Sequence, residues 1–212
     1  MKFLLFIPCT LLAIAVFGQR KQNILTEKIP KLSIYNINGD TTNLKSISKG
    51  KVTLIDFWFI PCAPCFAEMN LLHKVYAKYR GNPNFNFLAI TLTDSAFVRP
   101  LVENRNTSTN ETYSYFNSMA KMDTFRLPVY FIKNVTSTQK TWKKVKMGFT
   151  GEGDGPLKER PNYPNKIFGF LGYPTILIYN KEGKLIYNKT GFEKGNEEIQ
   201  LKRLQEIIDV AL

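Results

Sequence analysis

In the stretch WFIPCAPC, residues 58–65, two cysteines stand two residues apart between prolines. Paired thiols at this spacing can form and break a disulfide within one chain, which is the chemistry of thiol-disulfide exchange. The sequence of 212 residues holds one further cysteine, Cys9, and a single histidine, His73. A structural zinc site needs about four ligands, and this supply does not provide them. A purely structural bridge is also a poor reading. It would close a very small loop, whereas stabilisation in the chain-entropy picture grows with loop length. A chain this long also buries a sizeable core without a staple. Cys62 and Cys65 are therefore assigned to redox chemistry, with no cofactor and no metal.

The elements around the pair favour that assignment. KVTLIDFWF, residues 51–59, is a nearly continuous apolar and β-branched run, as expected of a central strand buried on both faces. CFAEMNLLHKVYAKYRG, residues 65–81, reads as a helix, with Met69, Leu72, Tyr76 and Tyr79 on one face and Gly81 as its stop. Pro64 suits a first turn, where its missing N–H costs nothing. Cys62 then falls at the tip between strand and helix. Its sulfur faces the helix N-terminus, where unpaired N–H groups and the dipole favour a thiolate. Cys62 is expected to be exposed and to attack; Cys65, inside the helix, is expected to be shielded and to resolve.

The alternation of strand and helix continues. FNFLAITLT (85–93) and LPVYFI (127–132) are strand candidates, and PTILIYNKEGKLIYN (174–188) is a hairpin about the turn NKEG. Asp94 to Lys121 is expected to be partly helical at best, because Pro100 and NRNTSTNE interrupt it. The chain closes on an amphipathic helix capped by Asn196, with Leu201, Leu204, Ile208 and Leu212 on one face. At the other end, Lys2, an apolar run from Phe3 to Phe17 and then Gly18 follow the order of a secretory signal peptide. The apolar run is short for a membrane span, which needs about 20 residues. Residues 1–18 are thus expected to be removed on export, leaving 19–212 as one α/β domain.

Four stretches taken together, IPKLSIYNINGDTTNLKSISKGKV, LIDFWFIPCAPCFAEM, GYPT and LIYNKEGKLI, make the chain resemble the exported thioredoxin-like thiol-disulfide oxidoreductases of the TlpA/ResA type. The resemblance runs from about Ile29 to Leu212. It implies an α/β thioredoxin-like fold, a central mixed sheet flanked by helices, with an N-terminal hairpin. It also implies that Pro174 carries a cis bond from Tyr173, and that the backbone of Tyr173 receives an extended substrate segment in the manner of strand addition. Asp56 matches the buried acid beneath the active site of thioredoxins, and Glu68 the acidic residue that the TlpA/ResA type places near its cysteines. Either carboxyl group, desolvated, would serve as acid or base when Cys65 acts. For Glu68 a simple dipole partner in the helix's first turn is the competing reading. Trp58, Pro61, Tyr173 and Pro174 are expected to form the substrate-binding surface.

Two departures stand out. Pro61 replaces the tryptophan common before the first cysteine in the family, and a segment at about 133–165 is inserted before Pro174. The insertion overlaps a stretch, 124–151, that has lysines and arginine but no acidic residue. A solvated loop accounts for it; docking of an acidic partner or an anionic membrane surface is the functional alternative. The formal charge of +12 brings in no nucleic-acid motif. A copper-handling module would need softer or more imidazole ligands than this chain offers. A redox-inactive interaction module would not need both cysteines. The expected function is an exported reductase of client protein disulfides, recharged by a membrane thiol donor and placed in the periplasm or cell envelope.

Overall fold

The computed structural model describes residues 26–104, 111–133 and 164–212. The expected signal peptide lies outside these residues, as does the inserted segment apart from its ends. Seven strands form one sheet in the order β2-β1-β5-β4-β3-β6-β7: β1 (Ser33–Asn36), β2 (Thr41–Asn43), β3 (Val52–Trp58), β4 (Phe85–Thr91), β5 (Val129–Ile132), β6 (Thr175–Tyr179) and β7 (Leu185–Thr190). β3 runs parallel to β4 and antiparallel to β6, so the sheet is mixed. All seven residues of β3 are buried, which is why its sequence lacks polar alternation.

The period-2 geometry of the strands divides the core into two clusters. Leu54 and Trp58, with Phe87, Ala89, Ile176 and Ile178, face α2 (Ala63–Tyr79), α4 (Glu111–Ala120) and α6 (Glu197–Ala211), with Phe116, Leu204 and Ile208 packed on them. Ile55, Phe57, Leu88, Ile90 and Leu177 face the other way. There they meet Leu44 of α1 (Leu44–Ile47), Phe168 of α5 (Pro164–Phe168) and Phe170. The hairpin β1–β2 adds to the sheet through β1 and β5, as the resemblance implies.

Two expectations are corrected. Asp94 to Lys121 is partly helical, as expected, but Pro100 does not interrupt it: Asp94 caps Ala96 and starts α3 (Ser95–Val102), which holds Pro100 inside it. Pro100 is the sixth of eight residues, so it removes one ladder bond near the end of a short helix instead of breaking a long one. At the start of α6, Asn196 makes no side-chain cap; Glu197 turns back to accept from the amide of Gly195.

Candidate active site

β3 delivers the chain to the site. Its exit is tied to the end of β4: the Leu92 amide donates to the Trp58 carbonyl at 3.2 Å and the Ile60 amide to Thr93 Oγ1 at 2.7 Å. The Ile60–Pro61 peptide bond is cis. Cys62 then caps α2, with its Sγ accepting from the Cys65 amide at 3.3 Å and its carbonyl from the Phe66 amide at 3.0 Å. Pro64 lies in the first turn, where no amide is missed. Cys62 and Cys65 are joined as a disulfide.

Burial corrects one expectation. Cys62 is 5% exposed against 1% for Cys65, so both sulfurs are shielded. Both belong to the cluster that holds Ile60, Trp58 and Phe66, and this apolar collar accounts for the low exposure of Cys62. What separates the two cysteines is their place on the helix: one at the cap, the other within the first turn.

Trp58 also needs correcting. It is fully buried, with its ring 6.0 Å from Phe66 and 5.8 Å from Phe125, and is core beneath the site with no surface to offer a substrate. Its place on β3 explains this, since it shares a face with Leu54 and Asp56 and that face lies under α2.

Pro61 is half-buried beside Cys62. Tyr173 is half-buried too, with its ring edge-on to Phe59 and to Phe170, 5.3 Å from each. The Tyr173–Pro174 bond is cis, and Pro174 is buried directly before β6. Because Thr175 pairs with Phe57, Pro174 arrives at the same end of the sheet as the cysteine loop. Its carbonyl accepts from the Gly191 amide at 2.8 Å.

Asp56 and Glu68 are each 1% exposed. Glu68 lies in the second turn of α2 and is buried, so it is no partner for the helix dipole. Asp56 Oδ1 and Glu68 Oε2 find no hydrogen-bond partner. Burial, joined by the Glu68 charge, pushes the Asp56 carboxyl well above its usual range. Burial likewise pushes Glu68 from 4.5 up to about 8, against the pull of Lys189. Glu68 is three residues after Cys65 on the same helix, the spacing at which side chains are neighbours. A carboxyl held near 8 is one that can take up or release a proton around neutral pH.

This burial has a measurable consequence. Unfolded, Glu68 loses its proton near pH 4.5, whereas folded it keeps it to about 8, so its contribution to stability falls as pH rises through that window. Glu68→Gln should match the parent at pH 4 and exceed it by roughly 4 kcal/mol at pH 8.5 in urea unfolding. Equal stability of the two at pH 8.5 would mean that Glu68 is hydrated and unsuited to proton exchange with Cys65.

His73 is committed elsewhere. Its Nδ1 bonds the Met69 carbonyl at 2.7 Å and its Nε2 accepts from the Arg126 amide at 2.9 Å. A neutral ring used in this way has no lone pair left for copper or any other metal. Missed in the sequence were Thr93, which pins Ile60, and Lys189, which acts on Glu68. The sequence offers no signal for either without the strand pairing.

Among the described residues no helix is long and apolar enough to cross a membrane. No family model matches the chain. In sequence it is similar to the thiol-disulfide oxidoreductase ResA of Bacillus anthracis and of Bacillus cereus, 28% identical over 64 residues, which is 30% of this chain and 36% of each relative. The chain thus matches about a third of the length of these curated relatives. In structure it is similar to a thioredoxin-like protein from Porphyromonas gingivalis, with TM-score 0.51 and 20% identity, covering 88% of this chain and 95% of that one. It is also similar to the thioredoxin domain of a thiol-disulfide oxidoreductase from Bacteroides vulgatus, with TM-score 0.50 and 16% identity over 87% and 98% of the two chains. The fold is thioredoxin-like, and the resemblance in sequence is to thiol-disulfide oxidoreductases of the TlpA/ResA type.

Proposed function

We propose that the chain is an exported thiol-disulfide oxidoreductase that reduces disulfides in client proteins. The observation that carries this reading is Cys62 at the N-cap of α2 with its sulfur on the Cys65 amide, beside a buried carboxyl pair. In the dithiol form that amide and the helix dipole favour the Cys62 thiolate, the attacking species. The thiolate attacks one sulfur of a client disulfide, the client's other sulfur leaves as thiolate, and a mixed disulfide joins Cys62 to the client. Cys65 gives its proton to Glu68, keeps the electron pair on sulfur and attacks Cys62 Sγ. The second client thiolate departs. Two electrons have then passed to the client, and Cys62 and Cys65 hold the disulfide.

A fresh pair of electrons must come from outside, and a membrane thiol donor is the partner that an exported domain would meet. Cleavage of residues 1–18 and residence in the periplasm or cell envelope belong to this reading. Residues 19–212 would form the working domain, with Asp56 supporting the charge change at Glu68. Pro61, Tyr173 and Pro174 would shape the client-binding edge. Surface contact of the inserted segment 133–165 with a membrane rests on its basic charge alone, and a role in preparing cytochrome c cysteines for haem on the resemblance alone.

The test is the reduction potential. Equilibrated with glutathione, the pair should lie nearer the thioredoxin value of about −270 mV than the oxidant value of about −120 mV. A potential above about −160 mV would make the chain an oxidant of clients and reverse the assigned direction.

A further inference from the structure

β7 is the last strand at one edge of the sheet, and its side chains alternate between half-buried and exposed. Its pairing with β6 sets Lys189 opposite Ile176, and Ile176 in turn lies opposite Asp56 of β3. Residues directly opposite in a sheet share a face. Neighbouring strands are about 4.8 Å apart, so the Lys189 backbone stands roughly 10 Å from that of Asp56, on the face that α2 covers. Tyr187, opposite Ile178, shares the face.

Glu68 comes down on this face from α2. Asp56 from β3 and Tyr187 from β7 both feel its negative charge, and Lys189 is the cation that works on it. Arg203 and Glu193 act on Tyr187 behind them. Lys189 is half-buried, which suits a long side chain with its stem along the apolar face and its ammonium at the wet edge of the sheet. Glu68 Oε2 has no hydrogen-bond partner, so its charged form depends on a cation at some distance.

We propose that Lys189 is a positioning residue for the exchange reaction, its ammonium selecting Glu68 over Asp56 as the acid that trades a proton with Cys65. This rests on the oxidoreductase reading above. Asp56, deeper and beside a like charge, keeps its proton. Glu68, within reach of Lys189, is the one able to ionise. When Cys65 resolves the mixed disulfide, its proton moves to Glu68 and its electron pair stays on sulfur to form the bond to Cys62. The Glu68 proton then leaves toward water at the β7 edge.

The experiment uses the reduced full chain and an aromatic disulfide whose thiolate is coloured. Attack by Cys62 releases one coloured thiolate in a first phase; resolution by Cys65 releases another in a second. In Lys189→Met the second phase should slow about five- to tenfold at pH 7, with its pH midpoint moved upward, because Glu68 without the cation holds its proton more tightly. The first phase should be unchanged, and Lys189→Arg should restore the second. In a Glu68→Gln background Lys189→Met should change neither phase. An unchanged second-phase midpoint in Lys189→Met, or a shift that persists without Glu68, would overturn the proposal. Failure of the oxidoreductase reading looks different: the parent itself would then show no second phase, and Lys189 would have no reaction to act on.

Discussion

Replacing Cys62 with alanine should lower the rate of client-disulfide reduction by about a thousandfold or more, the scale seen when a nucleophile is removed. Replacing Cys65 should instead leave the first half of the reaction intact and strand the chain on its clients. The asymmetry follows from the helix cap: Cys62 Sγ lies on the Cys65 amide at 3.3 Å, a position that supports a thiolate, whereas Cys65 is within the helix and only 1% exposed. Cys65→Ala should therefore accumulate mixed disulfides, seen on non-reducing gels as bands that collapse on reduction. Cys62→Ala should trap few or none. A structural bridge predicts the opposite pattern, with no trapped client from either variant and equal loss of stability in both. Equal trapping by the two would reverse the assignment of attacker and resolver.

Trp58→Ala should cost about 4 kcal/mol of folding stability, in the range for removing a large aromatic from a packed core. The indole is fully buried between Phe66 of α2 and Phe125, so its removal leaves a cavity under the helix that carries the cysteines. Trp58→Phe retains most of the contact and should cost less than half as much. Urea unfolding of the three chains measures this directly. In the fraction that stays folded, the affinity for a client peptide should be unchanged, since Trp58 has no surface to present. Parent-like stability combined with weakened client binding would return Trp58 to the substrate surface.

The parts of the site that the sequence announced are those with a local cause. Cys62 and Cys65 are legible because no other role fits their spacing, β3 because seven buried residues leave an unbroken apolar run, and α2 because its apolar spacing is helical. For Trp58 and Lys189 the causes are long-range. An aromatic beside a cysteine pair looks the same in one dimension whether it covers the surface or lines the core. For Trp58 the deciding fact is parity with Asp56, two residues earlier on the same strand. Lys189 is one of three lysines in the β6–β7 hairpin and its turn, and only the register with Ile176 and Asp56 singles it out. The exposure of Cys62 depends on residues that fold over it, such as Phe66 and Ile60. Asn196 makes no cap, and its side-chain amide donates to Glu193 instead.

The strand order separates the site into parts of unequal firmness. β3 has a partner on each side and packing on each face, so its amides should exchange with solvent only when the whole molecule opens. Among the described residues β7 has one neighbouring strand and alternates with solvent, so beyond Leu185, whose amide donates to the Glu27 carbonyl, its outer amides open by local fraying. Cys62 leaves the end of β3 through the bonds of Trp58 and Ile60 to residues 92 and 93, and its geometry is insulated from such fraying. Lys189 is on the strand that frays. The sulfur frame therefore outlasts the cation beside Glu68, and mild denaturant should slow proton handling before it disturbs the dithiol itself.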